Sequence, residues 1–193
     1  MSDRVLSEEE VLARLPPDVD AAGRQLIARA YRVAAECHRG QTRKHGTPYL
    51  EHPLGVCLIL LEEKGVTDPE VLAAALLHDV VEDSPTTPEM VRAAFGERVA
   101  RMVAALTKDR REGPGKAERD RAYLQTLHQA DAVTRLVKLA DRLDNARVLH
   151  RAPDGEHRRR WWQETRDHYL PLARATDADL CHQLEEWVEN FQP

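Results

Sequence analysis

Cysteine is scarce in this chain: Cys37, Cys57 and Cys181 stand far apart, with no C-x-x-C pair. An odd, scattered set argues against a disulfide framework and against a thiolate zinc site. It fits a reducing cytoplasm, with all three thiols serving as packing residues. No uninterrupted apolar run approaches the roughly 20 residues of a membrane span. The Met1 region, with Ser2-Asp3-Arg4 and Ser7-Glu8-Glu9-Glu10, has no apolar h-region, so no secretory signal is expected. A basic excess is missing too: the net charge is −5 with His neutral, so the global field offers nothing to nucleic acid. Alternating apolar and polar residues do not recur anywhere, which leaves no convincing strand.

What is present is helical periodicity along almost the whole chain of 193 residues, long enough for one sizeable core. Ser7 and Glu10 form a capping-box pattern ahead of a short helix that ends at Pro16-Pro17. A second helix is predicted from about Asp20 to His38, with Leu26, Ile27, Ala30, Val33 and Ala34 inward. Arg39 to Glu51 carries Gly40, Gly46 and Pro48 and reads as a loop. His52-Pro53 opens a third helix that runs to Gly65, with proline at a first-turn position. Asp68-Pro69 opens the next and Ser84-Pro85 closes it. Further helices are predicted from Thr87 to Phe95, Glu97 to Leu106, Lys116 to His128, Asp131 to His150, Glu156 to Ala175 and Ala178 to Phe191. Lys108 to Glu118, with Arg110, Arg111 and Gly113-Pro114-Gly115, is either a solvated linker or a mobile basic loop over an anionic ligand. No repeat or strong linker divides the chain, so residues 1–193 read as a single all-α domain of roughly eight to ten helices.

Chemistry concentrates in Leu76-Leu77-His78-Asp79-Val80-Val81-Glu82-Asp83. The run Val71 to Leu77 is apolar throughout, so His78 and Asp79 enter the protein at the end of a buried helix, where ionisable groups need compensation. On a continuous helix, 78 and 82 share one stripe and 79 and 83 the next. His52 at a helix start and Asp141 on the inner column of Val137 and Asn145 are further polar groups with interior positions. Each alone has a structural explanation: His52 can cap its helix, and Asp141 can pair with Arg142 or Lys138. Together with His78 and Asp79 they make two imidazoles and two carboxylates, a mixed N/O set suited to Mn²⁺, Fe²⁺, Zn²⁺ or Co²⁺. Glu82 and Asp83, one turn beyond, can orient a water and take its proton.

The spacing H…HD…D is that of the HD phosphohydrolase superfamily, and the surrounding residues are more specific. His38-Arg39-Gly40-Gln41-Thr42-Arg43-Lys44-His45-Gly46-Thr47-Pro48-Tyr49-Leu50-Glu51-His52-Pro53, Ala74 to Ser84, and Val137-Lys138-Leu139-Ala140-Asp141-Arg142-Leu143-Asp144-Asn145 resemble three motifs of the RelA/SpoT-type alarmone hydrolases. Phe95-Gly96 and Thr107-Lys108 also fall where that family has matching residues, and the resemblance covers about 27–175. It implies an all-helical HD domain that hydrolyses the 3′-pyrophosphate of guanosine tetra- and pentaphosphate, the stringent-response alarmones, typically with Mn²⁺. Carried over position by position, His52, His78, Asp79 and Asp141 are the metal ligands and Glu82 and Asp83 the catalytic pair. Arg43, Lys44 and Asn145 are the substrate contacts.

Asp144 departs from the family pattern, where a larger or aromatic residue is common, and Ala146 and Val148 depart around Arg147. This leaves the nucleotide preference more open than the catalysis. Two rivals follow: the same site acting on another nucleotide such as NADPH, and a non-catalytic nucleotide sensor. The segment His157-Arg158-Arg159-Arg160-Trp161-Trp162 reads as a helix start with a solvated basic face and an inward Trp rather than a nucleic-acid contact. His45, His128, His150, His168 and His182 read as surface or structural. No membrane or nucleic-acid partner is expected, and the oligomeric state stays open.

Overall fold

The computed structural model describes residues 5–43, 45–108 and 115–191. Seven helices begin with a side-chain cap. They are α1 (Glu8–Ala13), α2 (Ala21–Cys37), α4 (Pro69–Leu77), α6 (Pro88–Phe95), α9 (Ala132–Val148), α10 (Gly155–Glu164) and α12 (Ala178–Asn190), capped by Ser7, Asp20, Asp68, Thr87, Asp131, Asp154 and Asp177. Each cap satisfies a backbone N–H that the first helical turn leaves unpaired, worth about 0.5–2 kcal/mol. The Ser7–Glu10 capping box closes in both directions. The remaining segments are α3 (Glu51–Leu58), α5 (Val80–Asp83), α7 (Glu97–Leu106), α8 (Lys116–Gln129) and α11 (Leu170–Arg174). A π turn over Thr165–Tyr169 joins α10 and α11 into one continuous helix, and a second π turn over Ile59–Glu63 extends α3. Among the described residues there is no strand, only an isolated antiparallel bridge between Thr42 and Pro48, so the expected all-α architecture holds. No described helix is long and apolar enough to cross a membrane.

The helix at the centre is α4. Every residue from Val71 to Leu77 is buried, as a helix apolar on all sides must be. It is enclosed by α2, α3, α7 and α9. Leu72, Leu76 and Leu77 are each fully buried, contributing about 1.5–3 kcal/mol apiece against exposure. One contiguous apolar cluster runs from Val11 of α1 to Leu184 of α12. Cys57 lies inside it, where burial and then the charge of Glu62 push its thiol up to about 12; burial raises Cys37 and Cys181 as well. All three cysteines are free, the packing role expected of them.

The continuous helix expected from Pro69 to Asp83 is broken in the structure. Leu77 is the last residue of α4, His78 and Asp79 form a turn with Asp79 at φ −98°, ψ −8°, and α5 starts at Val80. The His78 imidazole explains the break: its Nδ1 donates to the Ala75 carbonyl at 2.7 Å, the acceptor that a continuing helix would offer to the N–H of Asp79. Helical geometry resumes at once: the Asp83 N–H donates to the Asp79 carbonyl at 3.0 Å, so 79 and 83 remain one turn apart as expected from sequence.

Close packing of α2 on the start of α4 depends on Gly23, where a Cβ would stand 2.5 Å from Pro69 Cγ and 3.1 Å from Val19 Cγ1. The proline ring cannot swing away. Gly23→Ala is expected to destabilise the fold by about 1–3 kcal/mol, the usual range for overpacking, measured by denaturant unfolding. An unchanged midpoint would mean that the two helices separate freely here.

Candidate active site

Four parts of the chain converge beside the C-terminal end of α4. The loop between α2 and α3 is pinned by N–H donation from Arg43 to the Thr47 carbonyl at 2.8 Å and from Tyr49 to the Gln41 carbonyl at 2.9 Å. Gly46 turns it with φ +94°, a left-handed conformation suited to glycine. This loop delivers Arg43 and Tyr49, and α3 delivers His52 from its second residue. The turn after α4 delivers His78 and Asp79, and α9 delivers Lys138, Asp141 and Asn145, which share a face at i, i+3 and i+7.

The four sequence-predicted metal ligands meet. His52 Nε2 lies 3.2 Å from His78 Nε2, 3.1 Å from Asp141 Oδ1 and 3.7 Å from Asp79 Oδ2. His78 Nε2 lies 3.3 Å from Asp79 Oδ1 and 3.9 Å from Asp141 Oδ1. Neighbouring ligands on one ion, with bonds of about 2.0–2.2 Å, stand about 3 Å apart, so these spacings fit a divalent cation. The chemistry of the set agrees: two carboxylates balance two positive charges, and both imidazoles aim Nε2 inward while Nδ1 is bonded outward. His52, His78 and Asp79 form a group able to hold a metal ion.

Electrostatics in the chain without metal follow from the same crowding. Burial works against a charged His52, but Asp141 and Asp144 outweigh it and push His52 up to about 10. Burial also opposes ionisation of Asp79, yet His78 and His52 hold its carboxyl below the ordinary value. For Asp141 burial is again the opposing force, and Lys138 followed by His52 holds it well below. Lys138 Nζ sits 2.5 Å from Asp141 Oδ2, resolving the sequence-level choice of partner for Asp141. Arg142 turns the other way, 3.4 Å over the Trp161 ring and 4.2 Å over Tyr169, and donates to Thr165 Oγ1 and the Trp161 carbonyl.

The centre opens into a cleft of about 460 Å³. Its lining carries Arg43, Lys108, Lys138 and Arg142 together with Asp79, Glu82, Asp141 and Glu164, and it includes the apolar Val148, Leu149, Ala152 and Trp161. Glu82 is at its edge, where Oε1 accepts the Lys108 backbone N–H at 2.6 Å. Asp83 is not among the lining residues. Arg43 is largely covered and donates to Asp144 Oδ2 at 3.1 Å and Asn145 Oδ1 at 2.6 Å. Asn145 in turn donates to Asp141 Oδ1 at 2.7 Å, tying the substrate-contact candidates to the ligand set. Lys44 lies outside the described residues, as do 109–114 of the basic segment. Lys108, the start of that segment, is joined to Glu82.

Several contributors escaped the sequence. Tyr49 donates its hydroxyl to Asp79 Oδ2 at 2.8 Å, its ring stacked on His38 at 4.6 Å. Burial followed by Asp79 pushes its phenol up, so it stays a donor. Tyr49 lies inside the first motif, but nothing in its spacing assigns it a partner. Asp144, noticed only as a departure, accepts from His52 Nδ1 at 2.6 Å. Its i+3 relation to Asp141 was the available signal. His45 and His157 also line the cleft, beyond the surface or structural role expected of His45. Trp161 does face inward, packed on Trp187.

The HD domain family matches residues 30–178. A zebrafish (Danio rerio) guanosine-3′,5′-bis(diphosphate) 3′-pyrophosphohydrolase MESH1 is 42% identical over 163 residues, covering 79% of this chain and 87% of that protein. The human (Homo sapiens) MESH1 is 48% identical over 130 residues, covering 65% of this chain and 72% of that protein. A solved structure of a metazoan orthologue of SpoT, described as hydrolysing ppGpp with a role in starvation responses, aligns with TM-score 0.77 and 35% identity. The alignment covers 85% of this chain and 94% of that one.

Two outcomes are expected from this geometry. Because His52 holds its proton up to about pH 10 without metal, a cation arriving at Nε2 at neutral pH must displace that proton. Calorimetry in buffers of different ionisation enthalpy should register proton release, and apparent affinity should weaken by up to about tenfold per pH unit of acidification. No dependence on pH between 6 and 8, a window of about two units, would mean that His52 carries no such proton there. Tyr49→Phe removes only the donor to Asp79 and should weaken metal binding by about tenfold or more with unchanged helicity by circular dichroism.

Proposed function

The chain belongs to the HD domain family, and we propose that within it the protein is a guanosine-3′,5′-bis(diphosphate) 3′-pyrophosphohydrolase using Mn²⁺. It cleaves the 3′-pyrophosphate of guanosine tetraphosphate and pentaphosphate to GDP or GTP and pyrophosphate. The observation that carries this reading is the convergence of His52, His78, Asp79 and Asp141 beside a cleft that offers Arg43, Lys108 and Lys138, in a chain closely similar to such hydrolases. When bound there, a divalent cation supplies Lewis acidity to a phosphoryl oxygen and to water. The donor set without thiolate suits Mn²⁺.

The chain's own groups divide the remaining work. Glu82, its Oε1 fixed by the Lys108 N–H, takes the proton from the attacking water, with Asp83 as the second carboxylate of that turn. Water adds to the phosphorus on the ribose 3′-oxygen, that P–O bond breaks, and the 3′-oxygen leaves as an alcohol after gaining a proton. Lys138 neutralises Asp141 from outside the ligand set and adds positive potential beside the pyrophosphate. Arg43 and Lys44 meet the nucleotide, Arg43 by exchanging its contacts with Asp144 and Asn145 for the ligand, and Asn145 meets the ribose and phosphate region. Residues 27–175 form the catalytic core of one HD domain, with α1 and α12 packed on it through Val11, Leu180 and Leu184. Three free thiols suit a reducing compartment, and we place the enzyme in the cytoplasm.

The purified chain with Mn²⁺ and ppGpp should yield GDP and pyrophosphate, with turnover lost on chelation. Orthophosphate release, or no cleavage of ppGpp, would sink the assignment in favour of another nucleotide. His78→Ala should abolish turnover, and Glu82→Ala should lower kcat by about 10²–10⁴-fold while leaving metal affinity intact. Unchanged turnover in Glu82→Ala would remove Glu82 from the proton transfer.

A further inference from the structure

His52 and His78 present Nε2 to the same point, yet their other nitrogens are anchored differently. His78 Nδ1 uses the backbone, the Ala75 carbonyl. His52 Nδ1 uses a side chain from a distant helix, Asp144 Oδ2 at 2.6 Å. That carboxylate is placed with unusual closeness. It lies against Gly55, one turn after His52 on α3, where a Cβ would stand 2.0 Å from Asp144 Oδ1. Arg43 donates to the same Oδ2 at 3.1 Å. All three side chains are largely covered, with 4% of the His52 side chain, 11% of Arg43 and 15% of Asp144 exposed.

We propose that Asp144 is a positioning residue that fixes the Nδ1–H tautomer and ring orientation of His52, so that Nε2 is committed to the metal, and that Gly55 exists to admit its carboxylate. A neutral imidazole carries one proton. An acceptor at Nδ1 draws that proton outward and leaves the Nε2 lone pair free, the tautomer a ligand needs. A carboxylate does this more strongly than a neutral acceptor, because the hydrogen bond is charge-assisted. Arg43 holds the carboxylate in place, so the substrate-contact candidate and the metal ligand are oriented through one acid. The inference rests on His52 being a metal ligand, as the functional reading has it.

The test uses metal alone, without nucleotide. Mn²⁺ titration by calorimetry should show affinity about 10–100-fold weaker in Asp144→Ala than in the wild type. The loss should be smaller in Asp144→Asn, whose amide oxygen can still accept from Nδ1–H. Gly55→Ala, which drives the carboxylate aside, should weaken binding in the same direction. In the Zn²⁺-loaded wild type, imidazole ¹⁵N–¹H correlation spectra should show a slowly exchanging proton on His52 Nδ1. That proton should persist in Asp144→Asn and exchange freely in Asp144→Ala. A merely structural role for Asp144 would leave this signal in place. The proposal is overturned if Asp144→Ala binds Mn²⁺ within about twofold of wild type, or if His52 Nδ1 carries no proton in the Zn²⁺-loaded wild type. Should Asp144→Ala not fold, the wild-type spectrum and the Gly55→Ala titration decide, and unchanged affinity in Gly55→Ala overturns it. His52→Ala separates the two levels. If it leaves Mn²⁺ binding intact, the functional reading of His52 fails and this inference with it; if it abolishes binding while Asp144→Ala does not, only this inference fails.

Discussion

Everything in this molecule is arranged around the problem of ending a fully buried helix on ionisable side chains. The apolar segment Val71–Leu77 drives α4 into the centre of the bundle. His78 and Asp79 are carried in behind it and cannot remain there as isolated polar groups without a cost of several kcal/mol each. The Ala75 carbonyl, Tyr49, His52 and Asp141 meet their hydrogen-bonding and charge requirements. These compensations end the helix, recruit α3 and α9, and gather a mixed nitrogen and oxygen donor set of a kind that divalent transition metals take. Fold and chemistry share one origin.

The second ring of contacts shows how such a site is kept rigid. Lys138 and Asn145 hold Asp141 from one helical face, Tyr49 stacked on His38 holds Asp79, and Asp144 holds His52. Lys138 and Asn145 share α9 with Asp141, whereas Tyr49 and Asp144 reach Asp79 and His52 from other elements, so both local helix geometry and helix packing fix these groups relative to one another. The cleft above them carries four basic side chains beside its four carboxylates, although the chain as a whole carries −5. Local placement of Arg43, Lys108, Lys138 and Arg142, and not net charge, prepares it for a polyanionic nucleotide.

Much of this was readable in advance, and the failures have physical causes. Helix boundaries followed caps and breakers: Thr87-Pro88, Phe95-Gly96, Asp131 and Asp68-Pro69 signal the ends by chemistry that acts over three or four residues. The break after Leu77 was invisible, because it depends on an imidazole competing for a carbonyl, which no periodicity encodes. The convergence of His52, His78, Asp79 and Asp141 was legible because two of them are adjacent in sequence and two occupy interior positions that demand partners. Tyr49 and Asp144 were not, since a hydroxyl donor and a carboxylate acquire their roles only from what stands opposite them.

By itself the sequence determined an all-helical bundle, the identity of the buried central helix, and the residue types from which a mixed nitrogen and oxygen centre could be built. These follow from hydrophobic periodicity, capping and the cost of burying charge, all of them local or compositional. Only the tertiary structure decided which carboxylate each histidine faces, that Lys138 rather than Arg142 neutralises Asp141, and that Arg43 rests on Asp144. The Asp144 pairings join residues 92 and 101 positions apart, and the one with His52 depends on how closely α3 and α9 approach at Gly55, a distance that no stretch of sequence carries alone.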